Sequence, residues 1–178
     1  SASGMFDIKQ KKDIPEKIYH IALITADNSA AFHDFQSILN KNPHTFTTSV
    51  IPATMQGLLG ASSIKTAIKT AERLNPDIIC ITRGGGAEED FACYNEEDLC
   101  DTITSTPTPI ITGIGHQINV TLSCLCSNNH FETPTALAQY LCLKSMENLN
   151  ELDQFIQMLE KRIIETINLT NNDLSEIK

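Results

Sequence analysis

The chain has 178 residues, 41% of them hydrophobic and 20% charged, with a formal net charge of −9. That length suits one packed domain with an appendage, and the acidic balance excludes a large basic face for nucleic acid. No apolar run approaches the roughly 20 residues of a membrane span, so no membrane role is expected. Residues 1–17 carry four basic and three acidic side chains (+1), residues 18–134 five and twelve (−7), and residues 135–178 four and seven (−3). Any grip on nucleic acid must be local or come from elsewhere.

Residues 1–17 are polar, lysine-rich and interrupted by Pro15, which reads as a tail or linker. Their first four, Ser1-Ala2-Ser3-Gly4, look like a cloning scar or tail and not a signal peptide. The run 18–25, Ile-Tyr-His-Ile-Ala-Leu-Ile-Thr, predicts a strand of the kind buried on both faces. Asp27-Asn28-Ser29 predicts a turn with a helix cap, and 30–40 a helix with Phe32, Phe35, Ile38 and Leu39 on one side and Asp34 on another. A β-branched strand is expected over 45–51, ended by Pro52, followed by a loop over 55–60. Ser62 or Ser63 is expected to cap a helix reaching Leu74.

Asn75-Pro76-Asp77 then opens a third strand, 77–82, which runs into Arg83-Gly84-Gly85-Gly86. A helix over 95–105 with an Asn95 cap, a stiff Thr-Pro-Thr-Pro link and a fourth strand over 110–114 complete the alternation. From Pro134 a long helical pattern begins. Leu149, Leu152, Ile156, Leu159 and Ile163 step by three and four, as in a coiled-coil seam, until Asn171-Asn172 is expected to break it.

Strands alternating with helices predict an α/β fold: a small doubly wound parallel sheet of about four strands with helices on both faces, followed by a long C-terminal helix. The expected divisions are a tail or linker over 1–17, an α/β domain of catalytic type over 18–133, and the helix over 134–178. Ligands of such sheets bind outside the C-terminal strand ends. Asp34, Arg83 and His116 are thereby expected near one edge.

Three consecutive glycines cost backbone entropy, and they permit φ > 0 or close approach to the main chain. Two readings fit them: a plain β–α turn with a structural arginine, or an anion site lined by backbone N–H groups and the Arg83 fork. No Gly-Lys-Ser/Thr follows, so this is not a Walker loop. His116 after Gly115 suits a general base, a general acid or a phosphate ligand, or a capping role. Asp34 alone reads as a solvated carboxylate, and Glu88, Glu89, Asp90, Glu96, Glu97 and Asp98 as a solvated acidic face. The six cysteines contain no Cys-x-x-Cys, so free thiols of a reducing cytosol are expected and no metal site.

Read in order, these motifs resemble the exodeoxyribonuclease VII large-subunit family. The resemblance rests on Arg83-Gly84-Gly85-Gly86 with Glu89-Asp90, on Tyr94-Asn95-Glu96-Glu97, and on 106–116 from Thr106 to His116 with Thr121 after it. Thr133-Pro134-Thr135-Ala136 is similar to the family's step into its long helix, and Ala30 to Asp34 to its first β–α unit. It covers about residues 15–155.

The resemblance implies an exonuclease that hydrolyses single-stranded DNA to oligonucleotides without a divalent metal or other cofactor. It implies an N-terminal OB-fold, absent from this chain, and small subunits gathered on the helical region. The chain is thus expected to be a fragment or a reduced homologue; a homodimer is also compatible. Carried over by motif, the catalytic set falls on Asp34, Arg83, His116 and Asn119, with Arg83, Gly84, Gly85 and Gly86 binding phosphate. The chain departs from the pattern at Gln117, Asn119, Cys124, Asn128, His130 and Gln139, where the family has acids or, at His130, an arginine. An amide at Asn119 cannot act as a general base, though it can orient His116. The alternative function is therefore a catalytically degenerate homologue serving as a phosphate-binding, nucleic-acid-binding or assembly module.

Overall fold

The computed structural model describes residues 11–42, 46–115 and 120–176 of the 178. Five parallel strands form one sheet in the order β2-β1-β3-β4-β5. They are β1 (His20–Thr25), β2 (Thr47–Pro52), β3 (Ile78–Arg83), β4 (Ile110–Ile114) and β5 (Asn129–Phe131). The helices are α1 (Ala30–Leu39), α2 (Gly60–Glu72), α3 (Glu97–Ser105), α4 (Leu122–Cys126) and α5 (Pro134–Glu176), with a 3-10 helix at Glu88–Asn95.

The near-continuous apolar runs sit where such runs must, in strands covered on both faces. Strand periodicity divides them: Ile21, Leu23, Ile78, Cys80 and Ile111 pack under α1 and α5. Ala22, Ile24, Ile79, Ile81 and Ile110 pack under α2, α3 and α4. On the α1 side the core closes through Phe35 and Leu39 against Leu137, Ala138 and Leu141 of α5. Gly113 permits α5 to lie directly on β4, since a Cβ there would come within 3.0 Å of the Thr133 carbonyl oxygen and 3.1 Å of Leu137.

The doubly wound class agrees with the sequence, and the strand count rises from about four to five. The extra strand, β5, pairs with β4 through only Asn129, His130 and Phe131, too few residues for a periodic signal. Two caps also differ. The α2 helix starts at Gly60 with no side-chain cap. Ser63 Oγ instead accepts from the Thr54 amide at 2.9 Å. Asn95 does not cap α3; its Oδ1 accepts from the amide of Leu122, the first residue of α4, at 2.9 Å. Ser29 does cap α1 as expected, accepting from the Phe32 amide at 3.2 Å.

The α5 helix runs through Asn171-Asn172 to Glu176 without the expected break. Beyond the sheet it presents Leu152, Phe155, Ile156, Leu159 and Ile163 to solvent; the side chain of Leu149 lies outside the described residues. At the other end, Lys12 donates from Nζ to the Thr104 carbonyl at 2.7 Å, so the segment expected as linker covers the C-terminal turn of α3. Thr45, the first residue of the second expected strand, lies outside the described residues.

Candidate active site

In the order β2-β1-β3, the chain leaves β1 toward one side for β2 and returns to the other side for β3. The winding therefore reverses between β1 and β3, and in doubly wound sheets that reversal opens the ligand crevice. A cavity of about 240 Å³ lies there, lined by Thr25, Ser29, Ala30, Ala31, Met55, Gln56, Thr82, Arg83 and Gly84, among others. Strand alternation sends Thr25 and Thr82 to the α1 side of the sheet and Arg83 to the α2 side.

Arg83 ends β3 and is only 6% exposed. Its guanidinium lies over the Phe91 ring, with Cζ 3.9 Å from the centroid. Nη2 donates to Asp90 Oδ2 at 2.9 Å and to Gln56 Oε1 at 3.2 Å. Nη1 is buried and has no hydrogen-bond partner among the described residues, and the same holds for Thr82 Oγ1. Buried donors and hydroxyls without partners are uncommon and costly, and functional sites are one place where they persist.

The triple glycine works by close approach and not by left-handed backbone. None of Gly84, Gly85 and Gly86 has positive φ; among the described glycines only Gly57 does, at 72°. Gly86 is the constrained position, because a Cβ there would strike Arg83 Nη2 and lie 2.9 Å from Asp90 Oδ2. Gly115, at the end of β4, donates its amide to the Arg83 carbonyl at 3.2 Å. Its α-carbon faces the Gly85 amide nitrogen, which a Cβ would approach to 3.4 Å.

Neighbouring groups hold the loops. Tyr94 is fully buried, and its hydroxyl donates to the Met55 carbonyl at 2.8 Å, fixing the segment that carries Gln56. Burial raises the Tyr94 phenol well above its ordinary value, so it stays a donor. The Cys93 thiol is also pushed up, by burial first, against the lowering influence of Arg83.

The site residues expected from sequence divide three ways. Arg83, Gly84 and Gly85 line the cavity, and Gly86 stands beside them against the Arg83 guanidinium. Asp34 is exposed on α1 and does not line it. It follows the cavity-lining Ala30 by four residues, and so shares that face one turn along the helix. His116, Gln117 and Asn119 lie outside the described residues, directly after Gly115. Glu89, Glu96, Glu97 and Asp98 are exposed as expected, whereas Asp90 is half-buried and belongs to Arg83; the side chain of Glu88 lies outside the described residues. The sequence alone misses Gln56 and Phe91 and leaves Asp90 among the other acids. The glycine turn, which can bring residue 90 back onto residue 83, is the one local signal for that pair.

Two departures from the family pattern have structural employment. Asn128 Oδ1 accepts from the Ile110 amide at 2.9 Å, while Nδ2 donates to the Lys12 carbonyl at 2.6 Å. Cys124 Sγ accepts from Thr121 Oγ1 at 3.2 Å and from Thr112 Oγ1 at 3.5 Å. His130 is exposed on β5 and its backbone amide meets the Asn129 side chain. Among the described residues no cluster of three or more His, Cys, Asp or Glu is placed to hold a metal, and no helix is long and apolar enough to cross a membrane.

A family model described as "Exonuclease VII, large subunit" matches residues 5–178. The chain is 32% identical over 163 residues to a protein of Tolumonas auensis named "Exodeoxyribonuclease 7 large subunit", covering 91% of this chain and 36% of that protein. Like-named proteins of Campylobacter fetus and Chlamydia trachomatis are 31% identical over 172 residues and 34% over 154, covering 94% and 85% of this chain. This chain spans 44% and 30% of those two proteins. Together these matches place the chain in the exonuclease VII large-subunit family.

Proposed function

We propose that this chain is the catalytic domain of an exodeoxyribonuclease VII large subunit, hydrolysing phosphodiester bonds of single-stranded DNA to oligonucleotides without a metal. The observation that carries this reading is the buried Arg83 guanidinium. It is fixed by Asp90, Gln56 and Phe91, holds one nitrogen without a partner, and borders the crevice where such folds bind ligands.

In this mechanism Arg83 and the amides of Gly84, Gly85 and Gly86 hold the phosphate and stabilise the charge that grows on it during attack. His116 passes a proton to or from water or the leaving oxygen. Asp34, one turn along α1, orients or activates a neighbouring group, and Asn119 orients His116. A net charge of −9 leaves attraction for the DNA backbone to this local pocket and to whatever accompanies the chain. The exposed apolar residues of outer α5 are the proposed seat of the small subunit, in a cytoplasmic assembly. A homodimer would use the same region.

The test is cleavage of end-labelled single-stranded DNA in EDTA, by the chain in its full-length form with its small subunit, beside Arg83→Ala and His116→Ala. Metal-free cutting that both substitutions abolish is the expected result. Intact DNA throughout would sink the nuclease reading. A second reading, a degenerate binding module, draws on Asn128 and Cys124, whose side chains serve internal hydrogen bonds at positions of family acids. It predicts retained affinity for single strands with no cutting, even in an Asn119→Asp variant.

A further inference from the structure

Two electropositive groups reach the cavity from opposite faces of the sheet. One is Arg83, from the α2 side. The other is the start of α1, a helix of 10 residues whose first turn lies at the cavity. The first amides of a helix have no partner within it, and they carry the positive end of its dipole. Here Ser29 Oγ satisfies the Phe32 amide, and the Ser29 carbonyl accepts from His33. The amides of Ala30 and Ala31 make no hydrogen bond among the described residues, and both residues line the cavity.

Between these two groups stand hydroxyls. Thr25 Oγ1 and Ser29 Oγ are 3.3 Å apart, so either can turn its proton outward while accepting from the other. Thr82 Oγ1 is buried and has no partner among the described residues, like Arg83 Nη1. Apart from Gln56, whose Oε1 accepts from Arg83, every polar side chain of this wall is thus a donor or a rotatable hydroxyl. Among the described residues no carboxylate lines the cavity; Asp90 is held on Arg83 Nη2. An oxyanion with several acceptor oxygens matches this arrangement, and an amine or a metal cation does not.

We propose that the first turn of α1 (Ser29, Ala30, Ala31), together with Thr25, Thr82 and Arg83, forms a seat for the phosphate group of a nucleotide. This deepens the nuclease reading, and its meaning for DNA rests on that reading. It assigns binding roles to Ala30, Ala31, Thr25 and Thr82, and it makes the phosphate, not the base, the group that this cavity grips.

The experiment is calorimetric titration of the chain with deoxythymidine 5′-phosphate and with thymidine, for wild type, Ala30→Glu and Thr82→Val. Glutamate at the first position of a helix favours the fold and repels an anion at the same place. Valine at residue 82 suits a strand and removes a hydroxyl that has no partner among the described residues. Both variants are therefore expected to melt no lower than wild type. The phosphorylated nucleoside is expected to bind and thymidine not to. Ala30→Glu should weaken phosphate binding about tenfold or more, and Thr82→Val severalfold. Equal binding of the two ligands, no binding of either, or an unchanged affinity in Ala30→Glu would overturn the proposal. Phosphate binding without DNA cleavage keeps this seat and removes the nuclease; cleavage with Ala30→Glu affinity unaltered does the opposite.

Discussion

Arg83 and Asp90 meet across the triple-glycine turn, Nη2 to Oδ2 at 2.9 Å, with side chains 7% and 33% exposed. The pair is asymmetric: the cation is sealed between the Phe91 ring and the loop of Gln56, while the anion keeps contact with water. Removing the anion strands a buried charge. Asp90→Ala is therefore expected to cost about 1–3 kcal/mol, discounted from a fully buried pair because Asp90 is a third exposed. Urea unfolding measures it. Asp90→Asn, which keeps an acceptor oxygen, should fall between the two, and a midpoint equal to wild type in Asp90→Ala would show that the pair adds nothing.

Gly85 and Gly86 offer an internal contrast. A Cβ at Gly85 meets nothing within 4 Å, whereas one at Gly86 strikes the guanidinium. Gly85→Ala is expected to leave both the melting temperature and nucleotide binding near wild type. Gly86→Ala should still fold, since the group in its way is a side-chain tip. It should nevertheless displace Arg83 and lose at least tenfold in nucleotide affinity or cleavage. Equal behaviour of the two variants in a parallel titration would remove close approach as the reason for the third glycine.

Asn128 stands where the family pattern has an acid, and the structure gives its amide an internal task. A carboxylate at this position would face the Lys12 carbonyl, to which Nδ2 now donates at 2.6 Å. Asn128→Asp is expected to lower stability by about 1–3 kcal/mol through that unmade bond, with no gain in cleavage. Denaturant unfolding together with the DNA assay checks both halves; faster cleavage by Asn128→Asp would return this position to the active site.

Alkaline pH should destabilise the chain. Burial pushes the Cys100 thiol from 9.0 up to about 12, and it also raises Cys93, Cys126 and Cys142. Above about pH 9 the unfolded chain loses these protons while the native chain keeps them. Stability therefore falls between about pH 9 and 12 and is indifferent to these groups below that window. Lys12, lowered by burial, acts in the opposite sense below 10.5, but as one group against these four thiols and the likewise raised Cys80, Tyr94 and Tyr140. Urea midpoints at pH 8, 9.5 and 10.5 should decline in wild type and less steeply in Cys100→Ala.

The central strands β1, β3 and β4 were readable in the sequence because they are apolar on both faces, and β2 because it is β-branched, each separated by well-formed helices. Arg83 and its glycines stood out for a related reason, since an abrupt end to an apolar run marks a strand edge. The rest depended on contacts between distant residues. The three residues of β5, two of them polar, form a strand only because β4 offers them a free edge. Asn95 resembles a cap for the helix that follows it and instead bonds the Leu122 amide 27 residues on. Asp90 is one acid among six until the turn folds it onto Arg83. The unpartnered Nη1 of Arg83 and the bare amides of α1 are properties of unmade bonds, which no local pattern can display.

The α5 helix is 43 residues long, which at the usual rise is about 64 Å, and an unbroken helix of that length is stiff. Its root presses on Gly113, and two residues later Gly115 stands between the Glu132 carbonyl, just ahead of that root, and the Gly85 amide. Through Gly115 the base of this long helix and the triple-glycine turn are neighbours in the fold, although α3, β4, α4 and β5 lie between them in the chain.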